Sequence, residues 1–373
     1  MKIGIITWFH YENYGTKLQA YALYEYLINL GHEVQLVNFQ LNDGTIKTGE
    51  KEKAPICERI IRYLGYNIYN YELKKYPDKF NLRSEQFEDF ISNRCTLTKL
   101  IQSDKEYIEV CNRFDVLICG SDQIWNPYWY HPYYYADFEQ IHTKRISYAP
   151  SIGVLKVPSS CKEKMKRSLS RFKAISLREE SACKIISSII GFSPKCVVDP
   201  TLLLDERTWD NLISNKITTK QYIACYFLTD NVRHWRAVKR FAKKIQLPLM
   251  VIPQQGISYL QSKCVDRAIS VESFLGYIRN AQIVITDSFH ACVFSIIFNR
   301  QFVVFERHNP SLNSSQNCRI YNLLRYIKYE ELLLPYNSDS IGRIPSINYQ
   351  EIHQRLDNRI EASKAFLVDA MEV

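Results

Sequence analysis

Hydrophobic positions along the chain switch between two periods, and the switches mark its elements. The run "KIGIITWF" (2–9) has the short apolar pattern of a strand, and the polar loop "HYENYG" (10–15) follows it. Beyond it Leu18, Ala22, Leu23, Tyr26, Leu27 and Leu30 recur at helical spacing. Gly31 ends that helix, and "EVQLVNF" supplies a second strand. The pattern predicts a βαβ unit whose first loop lies at the carboxyl end of a strand, where open parallel sheets bind ligands.

Between about 43 and 105 the sequence turns charged, as in "KTGEKEKAPICERIIRY" and "KKYPDKFNLRSEQFEDF", and strand alternation stops. Ile60, Ile61, Leu64, Phe87, Phe90 and Ile91 keep helical spacing, which predicts a helical insertion rather than disorder. Strand-like runs return at 114–120, 145–151, 172–177 and 195–200. A second set follows at 222–228, 247–253, 281–287 and 301–306, with helical pattern flanking it. The expected fold class is α/β, with two Rossmann-like doubly wound domains at 1–204 and 205–373, joined near 200–220, the first carrying the insertion. A length of 373 residues, more than one core usually organises, points the same way.

Composition narrows the classes. The formal charge of +9 is spread along the chain with no Lys/Arg run of five, so a nucleic-acid tail is not expected; phosphorylated substrates or the anionic face of a membrane suit it. Eleven cysteines contain no C-x-x-C pair, which disfavours zinc and thioredoxin-type chemistry and fits buried free thiols in a reducing cytoplasm; no metal site is expected. The start "MKIGIITWF" lacks a signal-peptide pattern and no 18-residue apolar run occurs, so neither secretion by that route nor a membrane span is expected. The aromatic stretch "WNPYWYHPYYYADF" (125–138) fits a sugar-binding wall and core packing equally well.

Four segments place polar chemistry at strand ends. Asn13 and Gly15 precede the first helix, where free N–H groups favour an anion, though a turn alone also needs such a glycine. "ICGSDQIWNP" sets Ser121 and Asp122 at the end of an apolar strand, with Asp122 a candidate base or a helix cap. Arg178 emerges after "FKAISL" and suits a carboxylate or phosphate, or a neighbouring glutamate. "AQIVITDSFHACVFSIIF" puts Asp287 and Ser288 at a strand end and His290 at a helix start. A helix N-terminus lowers a histidine pKa and a bound phosphate raises it again, which would make His290 a proton donor near neutral pH. The plainer alternative is a capped helix with a core histidine.

Taken in order, "NYGTKLQAYAL", "DVLICGSDQIWNP", "RISYAPSIG", "LREES", "VVDPTLLL" and "ITDSFHACVFSIIF" resemble the polysaccharide pyruvyl transferase family over about residues 2–325. The resemblance implies two Rossmann-like domains in a GT-B-like arrangement, the donor between them and the last helix able to pack back on the first domain. Characterised members transfer the enolpyruvyl unit of phosphoenolpyruvate to a sugar, usually closing a ketal on two hydroxyls and releasing phosphate, during cell-envelope polysaccharide biosynthesis and often on a lipid-linked precursor. By this resemblance His290 is the acid or the group that stabilises the phosphate, Asp122 the candidate base, and Asn13, Gly15, Ser121, Arg178, Asp287, Ser288 and Arg319 line the donor pocket. No cofactor is expected beyond phosphoenolpyruvate as donor, and no nucleic-acid partner. The expected location is cytoplasmic, with peripheral contact at the inner face of the membrane left open.

Two positions depart from the family, the milder being Ala291, which stands where glycine is common. Several members carry arginine where this chain has Ser288, so Arg178, Arg307, Arg319 or another cation must replace it, or the donor differs. A GT-B-type glycosyltransferase using a nucleotide sugar and a non-catalytic glycan- or phosphate-binding relative remain the alternatives.

Overall fold

The structure, a computed structural model, describes residues 1–41, 55–213, 221–262, 265–312 and 315–372. The opening of the expected insertion (42–54), part of the expected junction (214–220) and Cys264 lie outside the described residues. The chain divides into two compact units. Unit 1 takes in residues 1–51, 88–204 and 356–373, and unit 2 takes in 52–87 and 205–355.

Unit 1 is built on a parallel sheet of order β2–β1–β3–β4, with β1 Lys2–Ile6, β2 Glu33–Leu36, β3 Val116–Cys119 and β4 Lys144–Ser147. Ile3 pairs with Val34 on one side and Val116 on the other. All four residues of β3 are buried, as a strand covered on both faces requires, which is why its sequence is continuously apolar instead of alternating. Helix α1 (Tyr14–Asn29) follows β1, and Asn13 caps it by accepting from Thr16 N at 3.2 Å. A two-stranded pair, β5 Ser176–Leu177 and β6 Lys195–Cys196, extends the unit through an Ile146–Ala174 bridge.

The segment 125–138 is largely core. Trp125 stacks on Tyr135 at 5.2 Å and donates to Tyr134 O, and Trp125, Tyr130 and Tyr135 are buried. Packing is the reading that Trp125, Tyr130 and Tyr135 support, whereas Tyr128, Trp129 and Tyr133 are partly exposed.

Unit 2 holds a parallel sheet of order β11–β10–β9–β7–β8. Its strands are β7 Ile223–Tyr226, β8 Leu249–Ile252, β9 Ile283–Thr286, β10 Gln301–Phe305 and β11 Leu333–Leu334. Strand β9 is central and pairs with both β7 and β10. The edge strand β11 is two residues long, too short to leave a period in the sequence.

Two parts of the chain fall outside a simple cut at 204/205. Helix α2 (Ile56–Lys75) and most of α3 (Pro77–Ser92), the expected insertion, belong to unit 2. The reason is a glycine pair: a Cβ on Gly256 would sit 1.7 Å from Gly65 O, and one on Gly65 would sit 1.8 Å from Asp230 Oδ2. Only with hydrogen at both positions can α2 lie this close to the loop after β8. Arg267 pairs with Glu72 at 2.6 Å and covers the Tyr76 ring, and Arg83 donates to Pro253 O at 3.0 Å. The end of the last helix, residues 356–372, joins unit 1, where Ser363 Oγ accepts from Val198 N at 3.0 Å.

The remaining helices are α4 (Asp104–Cys111), α5 (Ser159–Leu169) and α6 (Glu180–Ile190), then α7 (Glu206–Asp210), α8 (Val232–Ile245), α9 (Val271–Arg279), α10 (Phe289–Ile297), α11 (Cys318–Ile327) and α12 (Tyr349–Glu372).

Candidate functional site

In unit 1 the candidate residues converge at the carboxyl ends of β1, β3 and β5. Asp122, in left-handed backbone conformation at φ 58°, starts no helix, so the capping alternative does not apply. Gly120 before it has φ 137°, and a Cβ there would meet Tyr148 O at 2.0 Å. Asp122 accepts from Thr16 Oγ1 at 3.0 Å and lies 3.6 Å from Arg178. Asn13, which caps α1 through Thr16 N, is thereby part of the same network, and Gly15 is buried in the first turn. The Ser121 hydroxyl is committed to Ala149 O at 2.8 Å.

Arg178 is the centre of this network, with a side chain 3% exposed. It faces Glu179 at 3.0 Å, Asp199 at 2.5 Å and Asp122 at 3.6 Å. Burial works against its charge, but the carboxylates of Asp199, Glu179 and Asp122 outweigh it and raise its pKa. One guanidinium among three carboxylates has no positive charge to spare for a donor. The sequence foresaw a glutamate as the plainer partner; Asp199 and Asp122 it did not connect.

Lys17, on the first turns of α1, is a residue that sequence reasoning passed over. It is buried, and burial lowers its pKa to about 8 against the pull of Glu88 and Glu12. Its charge in turn, after burial, holds His10 near 4. The only sequence signal was a lysine interrupting an apolar face.

In unit 2 the segment after β9 is arranged as follows. Ser288 caps α10, its hydroxyl accepting from Ala291 N at 3.4 Å, and Ser288 N donates to Thr286 Oγ1 at 3.0 Å. Asp287 is fully buried and accepts from Leu228 N and Thr229 Oγ1, both at 2.6 Å, so it ties the loop after β7 to the end of β9. Burial raises its pKa, opposed by Arg307 and by those donors. His290 stands on the first turn of α10, 6% exposed.

Beside this segment unit 2 has an open pocket of about 530 Å³ at the carboxyl ends of β7, β8 and β10. Its walls include Arg62 and Tyr66 from α2, Thr229 and Asp230 after β7, and Arg307 and His308 after β10. His308 reports the field inside. Burial first, then Arg307, Arg319 and Arg62, push its pKa down to about 2, so it is neutral at physiological pH while three guanidinium groups act on it. Arg319, on the first turn of α11, is 6% exposed. Among the described residues, Arg307 Nε and His308 Nε2 are buried with no hydrogen-bond partner. A volume of this size suits a small-molecule ligand, and guanidinium forks suit phosphate or carboxylate.

The sequence named Arg307 and Arg319 as cations but left His308 and Arg62 out, because a cavity lined from α2 and from the loop after β10 joins positions some 245 residues apart (307 − 62). Among the described residues no cluster of three or more His, Cys, Asp or Glu could hold a metal ion. No helix there is long and apolar enough to cross a membrane.

Comparison with known proteins follows this geometry. Residues 13–309 match the family described as polysaccharide pyruvyl transferase. No curated protein matches the chain. Among solved structures, the UDP-GlcNAc 2-epimerase from Methanocaldococcus jannaschii is similar with a TM-score of 0.51 at 8% identity, over 96% of this chain and 93% of that one. The UDP-GlcNAc 2-epimerase from Neisseria meningitidis bound to UDP-GlcNAc gives 0.48 at 9% identity, over 97% and 100%. The E. coli heptosyltransferase WaaC with ADP-2-deoxy-2-fluoro heptose gives 0.40 at 9% identity, over 96% and 99%. The α/β fold expected from the sequence is the one this chain shares with the Methanocaldococcus jannaschii enzyme.

Proposed function

We propose a function from the premise that the chain belongs to the polysaccharide pyruvyl transferase family, and is a transferase. The reaction we assign is transfer of the enolpyruvyl unit of phosphoenolpyruvate to two hydroxyls of a sugar in a cell-surface polysaccharide or its lipid-linked precursor. The observation that carries the donor assignment is the pocket of unit 2, lined by Arg62, Arg307 and His308, with Arg319 near enough to act on His308. Phosphoenolpyruvate brings a carboxylate and a phosphate, the two anions that such guanidinium groups bind bidentately.

The chemistry has three needs. The methylene carbon of the donor takes a proton, which we assign to His290 as acid. One sugar hydroxyl then bonds to C2 while its proton leaves to a base. As phosphate departs with the C2–O bond pair, the second hydroxyl bonds to C2 and closes the ketal. One hydroxyl proton balances the proton given by His290 and the other leaves with phosphate. Asp122 is our candidate base, held by Thr16 and Arg178. Arg307 and Arg319 take the part of the arginine that other members carry at the position of Ser288. Ser288 and Asp287 serve as positioning residues, through the helix cap and the loop after β7. Asn13, Gly15, Ser121 and Arg178 shape the first strand ends without carrying charge to the donor. We place the enzyme in the cytoplasm with peripheral contact at the inner face of the membrane.

The test is phosphate release from phosphoenolpyruvate across a panel of lipid-linked and aryl-linked sugars. Sugar-dependent release that disappears in His290→Ala is the expected result. A binding shift with nucleotide sugars and none with phosphoenolpyruvate would overturn it in favour of a glycosyltransferase.

A further inference from the structure

Helix α2 presents opposite chemistry on its two sides. Ile56, Ile60, Tyr63, Leu64 and Tyr71 are between 51% and 74% exposed. At 100° per residue these five fall on one side of the helix, opposite Gly65, the residue that docks α2 on the loop after β8. An exposed stripe of large apolar side chains marks a surface that meets something.

Its charges say what. Arg59, Lys74 and Lys75 are exposed within or beside the stripe. The helix has two acids, and both lie on the Gly65 side: Glu58 is 3.7 Å from Arg62 with a side chain 12% exposed, and Glu72 is buried against Arg267 at 2.6 Å. The outward side therefore combines isoleucine, leucine and tyrosine with cations and no carboxylate. Helices that lie in a bilayer interface have this composition: the apolar stems enter the acyl boundary, tyrosines sit at headgroup level, and lysine and arginine meet anionic lipid.

We propose that the outward face of α2 is a docking surface for an anionic bilayer. The assignment refines the membrane contact in the reading above and rests on none of its donor chemistry, since lipid binding is read without turnover. The same helix contributes Arg62, Tyr66 and Tyr69 to the cavity of unit 2, so docking would hold that wall of the cavity at the lipid surface.

Cys57, at the start of α2, is an exposed free thiol, whereas the other described cysteines are buried or half-buried. The full chain labelled there with an environment-sensitive fluorophore is titrated with vesicles of phosphatidylcholine alone and of phosphatidylcholine with phosphatidylglycerol in equal parts. The expected result is a blue shift and partitioning on the anionic vesicles, weakened by salt. Partitioning should fall at least tenfold in Ile60→Glu/Leu64→Glu, with far-UV circular dichroism and melting temperature retained. Should that variant lose its fold, Arg59→Gln/Lys74→Gln/Lys75→Gln provides the second arm, with the loss confined to anionic vesicles. No shift on anionic vesicles at low salt, undiminished partitioning of a folded variant, or a concentration-dependent dimer abolished by either variant would overturn the proposal.

Discussion

The two units bury arginine in opposite ways. In unit 1 a single guanidinium, Arg178, is enclosed by Asp122, Glu179 and Asp199. In unit 2 Arg62, Arg307 and Arg319 gather around a histidine that burial and their charges keep neutral. The first cluster is satisfied by its own chain, and its net negative character serves to hold strand ends and the loop of Asp122. The second is only partly matched: Glu58 lies 3.7 Å from Arg62 and Arg307 acts on Asp287, while among the described residues Arg307 Nε is buried with no hydrogen-bond partner. We read the first arginine as structural and propose the second set as the one that meets an anionic ligand, since three carboxylates face Arg178 whereas one, Glu58, lies 3.7 Å from Arg62.

Substitution at Arg178 should break the comparison most visibly if it is wrong. Arg178→Met leaves three buried carboxylates without a cation, and we expect a loss of about 3–5 kcal/mol in urea unfolding, or failure to fold. Wild-type stability in that variant would mean the cluster is not held by its charge. The matching change in unit 2, Arg307→Gln, should leave the unfolding free energy within about 1 kcal/mol of wild type. It should weaken phosphoenolpyruvate binding by roughly tenfold to a hundredfold, as loss of a charge-assisted hydrogen bond of about 1.5–3 kcal/mol implies. A smaller effect is expected from Gly256→Ala, whose new methyl would overlap Gly65 O. We expect about 1–3 kcal/mol of overpacking and weaker ligand binding, since α2 carries one wall of the cavity.

A further effect is on pH dependence, and its sign follows from His308. Its folded pKa, near 2, lies below the ordinary histidine value of 6.5, so the unfolded chain takes up the proton first as pH falls. His234, which burial lowers to about 4, acts in the same direction. Melting temperature should therefore decline as pH is lowered from about 6.5 toward 4, and His308→Gln should flatten that decline. Bound phosphoenolpyruvate should flatten it too, because an anion offsets the arginines that repel the proton. A ligand that leaves the slope unchanged would place the anion elsewhere.

Much of this was legible along the chain. The continuous apolar runs of β1, β3, β7 and β9 gave their strands because both faces are covered, and the polar residues after them gave the candidate positions. The helical character of the insertion was legible from Ile60, Ile61 and Leu64, but its attachment to unit 2 was not, because it depends on Gly65 meeting Gly256 across 191 positions (256 − 65). Arg178 read as a ligand cation or as the partner of a neighbouring glutamate, and Asp199 and Asp122 stayed hidden because they come near it only when β3, β4, β5 and β6 are assembled. Arg62 and His308 had no motif at all; a cavity assembled from α2 and the loop after β10 has no local sequence signature. The aromatic stretch 125–138 left two readings open for the opposite reason, since a ring that packs and a ring that binds sugar read alike.

The most direct measurement is calorimetric titration of phosphoenolpyruvate into the wild-type chain and Arg307→Gln at low and moderate salt. The account predicts one saturable site in the wild type, weakened by salt and at least tenfold weaker in the variant. Absence of binding to the wild type, or equal affinity in the two, would contradict the claim that the cations of unit 2 are held for this donor.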